Sequence, residues 1–265
     1  MAEAALVAAT GTPRTRRSLA ADLRALGLPA GATVLVHSSL SALGWVAGGA
    51  VSVVQALLDV LGRTGTLVVA TQSGDLCDPA TWSRPPVPAA WWPVIRDSMP
   101  AYDPALTPSR GMGAVVEVVR HLPGFVRSAH PLLSFGAVGP RARDVVEPHP
   151  LTPGLGEGSP LSRLADGGAW TLLLGVGWDS ATCLHLGEAR AGRRPVVATG
   201  APMTVAGRRE WVSWDDLDWD ETPFPQIGAD LEATGAVLTG PVGSATARLV
   251  AVSVAVRASH LALGP

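Results

Sequence analysis

Gly31-Ala32-Thr33-Val34-Leu35-Val36, followed by His37-Ser38-Ser39, is the stretch on which the fold turns. An apolar, β-branched run this short, opened by glycine and closed by polar residues, reads as a strand buried on both faces. Upstream, Ser18 is placed as the cap of a short amphipathic helix with Leu19, Leu23 and Leu26 on one face, stopped by Gly27 and Pro29. Downstream, a glycine-containing loop over 40–49 leads into a helix over 50–61. Gly65-Thr66-Leu67-Val68-Val69-Ala70 is then a second buried strand. The first seventy residues therefore read as a βαβ unit, whose strand carboxyl ends are where open α/β sheets place their ligands.

Residues 71–110 break this pattern, with eight prolines from Pro79 to Pro108 and Trp82, Trp91 and Trp92 among them. An irregular span of that length is usually functional or mobile. The spacing of Val115, Val118, Val119 and Leu122 predicts a helix over 111–121, and further strands are read at 132–138 and 170–176. A helix capped by Asp179 or Ser180 is expected to run to Arg190, a hairpin to span 195–213 around Gly207, and another helix to cover 225–234. No repeat, charged tail or linker divides the chain. The expectation is one α/β domain over 1–265, with a mixed central sheet flanked by helices.

The 265 residues are 47% hydrophobic and 16% charged, which excludes global disorder. A net charge of −2 leaves no electrostatic footprint for nucleic acid or an anionic membrane. Lysine and asparagine are absent, a coding bias shared with the abundant Ala, Gly and Pro. Cys77 and Cys183 make neither a disulfide framework nor a zinc site. Arg16-Arg17 superficially resembles a twin-arginine signal, but charges follow where an apolar export stretch belongs. With no span long and apolar enough for a bilayer, the expected location is the cytoplasm.

The densest run of reactive side chains is Asp179-Ser180-Ala181-Thr182-Cys183-Leu184-His185-Leu186-Gly187-Glu188. On a helix, His185 and Glu188 stand at i and i+3 and share a face. A carboxylate fixes the tautomer of an imidazole and raises its basicity, as a general base near neutral pH requires. The same spacing also describes an ordinary solvated pair. Cys183 lies about 200° around the helix axis from His185, so a thiol–imidazole nucleophile does not assemble and Cys183 reads as buried and inert. The same geometry excludes a Cys183–His185–Glu188 metal site, and no metal is expected.

His37, at a strand's carboxyl end, is the second catalytic candidate; a packed, hydrogen-bonded histidine is the alternative. His130, within Ser128-Ala129-His130-Pro131, is a third. His121, His149 and His260 read as helix-end, loop and tail residues. Residues 38–49 and the turn Thr107-Pro108-Ser109-Arg110-Gly111-Met112-Gly113 offer hydroxyls and backbone N–H groups ahead of helices, suited to an anionic cofactor or to a purely structural turn. Neither is a P-loop or a dinucleotide fingerprint. Asp215, Asp216, Asp218, Asp220 and Glu221, interleaved with Trp214 and Trp219, form either a solvated acidic loop or a lip that attracts a polycation.

Five segments together resemble the aminoglycoside 3-N-acetyltransferase family in order and spacing, over most of residues 20–190. They are Val36-His37-Ser38-Ser39-Leu40-Ser41-Ala42-Leu43-Gly44; the 107–113 turn; Pro123-Gly124 leading to Arg127-Ser128-Ala129-His130-Pro131-Leu132-Leu133-Ser134-Phe135; Gly156-Glu157-Gly158-Ser159-Pro160-Leu161; and Leu174-Gly175-Val176-Gly177-Trp178-Asp179-Ser180 through Thr182, His185 and Glu188. The resemblance implies an α/β fold distinct from the common N-acetyltransferase fold. It also implies direct transfer of acetyl from acetyl-CoA to the 3-amino group of a deoxystreptamine ring, in a ternary complex. In that setting His185, oriented by Glu188, is the base, and His37 an alternative base or a proton donor on the thiolate side.

Acetyl-CoA is then expected against Ser38, Ser39, Leu40 and Ser41, against Gly44, Trp45 and Val46, and against Ser134 and Phe135. Thr107, Ser109, Arg110, Gly111, Met112 and Gly113 complete that expectation. Substrate ammonium groups are expected at Asp75, His130, Asp179, Glu188, Asp215 and Asp216. One departure stands out: the family commonly has Asn where this chain has Ala181, so an amide that orients substrate or cofactor is missing. Two other readings compete, a CoA-dependent transferase for another small amine metabolite and a binding protein without turnover. A monomer or homodimer is expected.

Overall fold

The computed structural model describes residues 3–264. A surface helix α1 (Glu3–Ala9) precedes α2 (Arg16–Leu26). Thr15 rather than Ser18 caps α2: the Thr15 hydroxyl accepts from the Ser18 N–H, and the Ser18 hydroxyl accepts from the Thr15 N–H. Ser18 thus supplies the second half of a capping box, and the helix begins two residues before it. Gly27, at φ 101, closes the helix in the left-handed conformation glycine adopts without strain. The βαβ unit follows as read: β1 (Thr33–Ser38), a 3₁₀ turn at Leu40–Leu43, α3 (Gly49–Leu61) and β2 (Thr66–Ala70).

The proline-rich span contains only 3₁₀ turns and the short helix α4 (Trp92–Ser98). Its end is fastened to a later hairpin, where the Tyr102 N–H meets the Pro202 carbonyl at 2.8 Å. Next come α5 (Gly113–Arg120), β3 (Val126–Arg127) and β4 (Phe135–Val138). The expected strand at 132–138 starts three residues late because the Leu132 and Leu133 amides turn back onto His130 Nδ1, at 3.1 and 3.0 Å. α6 (Ala142–Val146), α7 (Pro160–Asp166) and β5 (Trp170–Leu174) continue the chain. β5 stops at Gly175, whose φ of 72 a side chain rarely tolerates.

The expected helix from 179 is divided. A 3₁₀ turn at Trp178–Ser180 ends at Ala181, whose ψ of 75 is not helical, and α8 (Leu184–Ala191) begins only after Cys183. The hairpin β6 (Val196–Val205) and β7 (Arg208–Leu217) runs past 213 and absorbs Asp215 and Asp216 into a strand. α9 (Phe224–Ala233), β8 (Leu238–Val242), β9 (Ala245–Ala251) and α10 (Val252–Leu263) finish the chain.

The main sheet has seven strands in the order β3-β4-β2-β1-β5-β9-β8, and β6–β7 form a separate ribbon. β1 is parallel to both β2 and β5, whereas the outer pairs β2–β4, β3–β4, β5–β9 and β8–β9 are antiparallel. This is the expected mixed sheet. Alternate residues of β1 feed two cores: Val34 and Val36 pack with α2, α3 and α5, while Leu35 packs with α7, α8 and α10. By the same alternation His37 points toward the α8 side. Because the chain leaves β1 for β2 on one side and returns to β5 on the other, a crevice opens at the carboxyl ends of these three strands. Among the described residues no helix is long and apolar enough to cross a membrane.

Candidate active site

The crevice holds a cavity of about 360 Å³. The end of β1 contributes Val36, His37 and Ser38; Ala70 and Gln72 come from the end of β2. Gly111, Met112 and Val116 form one wall. Val176, Asp179, Ser180, Thr182 and His185 descend from β5 into α8, and Glu221 enters from beyond the β6–β7 hairpin. The wall at Ala70, Gly111, Met112 and Val116 is small and apolar. Two carboxylates and no lysine or arginine line the cavity, which gives it a negative character suited to a cationic amine.

His185 sits in the first turn of α8, with only 9% of its surface exposed. Its Nδ1 lies 2.6 Å from Glu188 Oε2, one helical turn on, so the i, i+3 spacing is realised as a contact. Glu188 is 2% exposed, and its other oxygen accepts from the Asp220 N–H at 3.1 Å with Arg194 Nε also 3.1 Å away. Edge-on contacts with Phe224 and Trp219, at ring-centroid distances of 4.7 and 5.5 Å, fix the imidazole plane. An ionised Glu188 makes Nδ1 the donor, and the free Nε2 becomes a proton acceptor on the cavity side. The dyad thus presents a ring nitrogen able to accept a proton from a group in the cavity.

His37 faces the same cavity, but its Nε2 is sealed from solvent without a hydrogen-bond partner. Burial pushes its imidazole down to about 4, so it is neutral at physiological pH. Cys183 is fully buried, and burial pushes its thiol up to about 12, which leaves no thiolate nucleophile. Ala181 is also fully buried, packed into the core beneath α8. The family's asparagine position therefore lies in this chain's core, off the cavity wall.

Of the cofactor candidates, Ser38, Gly111 and Met112 line the cavity. Gly113, at φ 84, lies beside Ser38 O, with an ordinary contact distance of 3.9 Å between that oxygen and the position a Cβ would take. Ser39 and Ser41 share a hydroxyl contact at 3.3 Å, and Leu40 packs into the first core. Gly44, Trp45 and Val46 instead receive the N-terminal segment. Thr10 Oγ1 accepts from the Trp45 N–H at 2.8 Å, and Val46 bridges to Arg14. Phe135 is fully buried core and Ser134 bonds to Thr71 and Arg127, so both are removed from cofactor contact.

The 107–113 turn is anchored from below. The Thr107 carbonyl accepts from Arg120 Nη2 at 2.7 Å and from Arg127 Nη1, while Ser109 donates to Glu117. Arg110 and Asp75, expected on cofactor and substrate respectively, neutralise each other at 2.5 Å beside Trp82 in a neighbouring cavity.

Among the substrate candidates Asp179 lines the cavity and Glu188 backs it through His185. His130 does not reach it: Nδ1 accepts two backbone N–H groups, Nε2 donates to the Leu151 carbonyl at 3.3 Å, and burial lowers the ring to about 4. Asp216 is 5% exposed and caps structure by accepting from the Gly154 and Leu217 N–H groups and from Trp219. Asp215 is exposed on the hairpin, outside the cavity lining. Gln72 and Arg194 were not singled out by the sequence, while Glu221 was read only as one acid of the charged run and Thr182 only as part of the family motif. Gln72, Arg194 and Glu221 come to the site from elements whose approach no local spacing encodes. Among the described residues no cluster of histidine, cysteine or carboxylate side chains is arranged to hold a metal ion.

The sequence model of the aminoglycoside 3-N-acetyltransferase family matches residues 35–262. A prophage-derived aminoglycoside N(3')-acetyltransferase-like protein of Bacillus subtilis, YokD, is 48% identical over 252 residues, covering 95% of this chain and 93% of its own. The crystal structure of YokD superimposes with a TM-score of 0.95 over 97% of this chain and 95% of that one, at 46% identity. Aminoglycoside N(3)-acetyltransferase VIII of Streptomyces fradiae is 42% identical over 275 residues, covering 97% of this chain and 94% of its own. The binary complex of AAC-IIIb with CoASH matches with a TM-score of 0.84 at 31% identity, over 95% of this chain and 97% of that one.

Proposed function

The chain belongs to the aminoglycoside 3-N-acetyltransferase family, and on that premise we propose that it transfers the acetyl group of acetyl-CoA directly to the 3-amino group of a 2-deoxystreptamine aminoglycoside. The observation that carries this reading is the buried His185–Glu188 dyad opening onto a cavity lined by Asp179 and Glu221. An ammonium nitrogen has no lone pair to attack with, so a base must remove a proton. Asp179 and Glu221 attract the charged amine, His185 Nε2 takes one ammonium proton, and the lone pair this frees attacks the thioester carbonyl. Glu188 stabilises the imidazolium that forms. The carbon–sulfur bond then breaks, the second proton shed by the nitrogen leaves on the sulfur as the free thiol, and His185 returns its proton to solvent.

The donor side fits the small, apolar wall at Ala70, Gly111, Met112 and Val116, which passes a thin acyl-thioester arm and offers nothing to a polyamine. Neutral His37 stands on the β1 side as a hydrogen-bond donor to the reacting carbonyl or the departing sulfur. Support for a CoA donor comes from AAC-IIIb, which binds CoASH and shares this fold.

The decisive experiment is a free-thiol assay of CoA release from acetyl-CoA against a panel of aminoglycosides. Release with deoxystreptamine drugs, and raised inhibitory concentrations in an expressing bacterium, are expected. Release with other small amines alone would move the acceptor to a metabolite. Tight binding of both ligands without release would make the chain a binding protein.

A further inference from the structure

Glu188 is 2% exposed, and the base it orients must be neutral before it accepts a proton. A buried carboxylate beside a neutral imidazole needs a counter-charge from elsewhere. Arg194 supplies it, from the segment between α8 and β6, with Nε 3.1 Å from Glu188 Oε1. The same guanidinium donates from Nε to the Asp218 carbonyl at 2.5 Å and from Nη1 to Asp220 Oδ2 at 3.3 Å, with Asp218 Oδ2 3.7 Å from Nη2. Asp220 closes the ring by giving its N–H to Glu188 Oε1.

We propose, on the basis of the acyl-transfer reading above, that Arg194 is a positioning residue: it keeps Glu188 ionised while His185 is neutral, and it ties the dyad to the acidic segment that carries Glu221 into the cavity.

The groups around His185 are Glu188 on its own helix, the Trp219 and Phe224 rings, Asp220 above the dyad, and His37, Asp179 and Glu221 across the cavity. Asp218 lies behind Arg194. Among the described residues, and apart from His185 itself, Arg194 is the cation in contact with Glu188. Without it, Glu188 keeps only the imidazole and the Asp220 N–H as partners, and a carboxylate this buried faces no fixed cation. The fork matters as well as the charge, because one planar guanidinium meets Glu188, Asp218 and Asp220 at once. A lysine ammonium keeps the charge but not that geometry.

The test is the Arg194→Gln variant beside Arg194→Lys. Arg194→Gln is expected to lower kcat at pH 7 about 10- to 100-fold, leave KM for acetyl-CoA within about twofold, and move the acidic limb of the kcat–pH profile up by about one unit. Arg194→Lys should recover part of both effects. Nitrogen chemical shifts of the His185 ring, identified by their loss in His185→Gln, give a readout independent of turnover. The charged fraction at pH 7 should be larger in Arg194→Gln than in the unsubstituted protein.

A folded Arg194→Gln protein with an unmoved pH limb and unchanged ring shifts would overturn the proposal. If that variant fails to fold, an unmoved limb and unchanged ring shifts in Arg194→Lys would do so. If no amine is acetylated by the unsubstituted enzyme, the acyl-transfer reading fails, and the ring shifts alone still decide the role of Arg194.

Discussion

Two residues apart in the chain, Cys183 and His185 have opposite chemistry, and burial with partners decides it. Cys183 ends in the core with its thiol pushed up to about 12, while His185 keeps one nitrogen on Glu188 and leaves the other for the cavity. His185→Ala is therefore expected to lower kcat by 10²- to 10⁴-fold while leaving acetyl-CoA affinity near that of the parent. Cys183→Ala should leave kcat unchanged, and mass spectrometry should find no acetylated protein after mixing with acetyl-CoA alone. An acetyl group on Cys183 or Ser38 would establish a covalent route instead.

The dyad was readable because both members lie within one helical turn. Arg194 was not, and Glu221 was legible only as one acid of the charged run, since their approach depends on how the 192–221 excursion returns to α8. Asp216 misled for the same reason: its partner Gly154 is 62 residues away, and only that contact turns an acid of the charged run into a buried cap.

Among the elements, glycine and proline punctuation located β1, α3 and β2 closely but misjudged the ends of α2, α5, β4 and α8. Helix and strand ends are settled by side-chain caps and by turns onto distant groups, such as Leu132 and Leu133 onto His130. The proline-rich span shows the limit most clearly. Its order comes from Arg127, which is 5% exposed and spends its donors on uncharged acceptors: Thr71, Ser73, Ser134 and the Thr107 and Pro104 carbonyls.

One guanidinium thus joins the end of β2, the start of β4 and the base of the turn that carries Gly111 and Met112 to the cavity. Arg127→Ala leaves several buried acceptors without donors, each worth about 1–3 kcal/mol, so a loss of at least about 3 kcal/mol is expected in urea denaturation. KM for acetyl-CoA should rise in the surviving folded fraction, because the 107–113 turn loses one of its two anchors at Thr107. An unchanged denaturation midpoint would mean that Arg120 alone holds the turn.

For the molecule as a whole, the mixed sheet buries polar side chains on both sides of the crevice, and the histidines among them couple folding to pH. His130 and His149 are held near 4 and near 3 by burial. Each has both ring nitrogens engaged as the neutral form allows, with His149 accepting from Ser128 and donating to the Gly154 carbonyl at 2.7 Å. In the unfolded chain both return to about 6.5. Below that pH the unfolded state binds protons that the native state refuses, so stability is full above about 6.5 and falls as pH drops toward the folded values.

At pH 5 each ring costs about 2 kcal/mol relative to pH 7, about 4 kcal/mol for the pair, and His37, lowered to about 4, acts in the same direction. Urea midpoints at pH 7 and pH 5 measure this directly, and His149→Gln should reduce the difference by about 2 kcal/mol while weakening the protein at both pH values. A midpoint that stays level between pH 7 and 5 would show that these rings accept protons in the native state, and the packing around the 128–135 turn would then have to open at neutral pH to admit them.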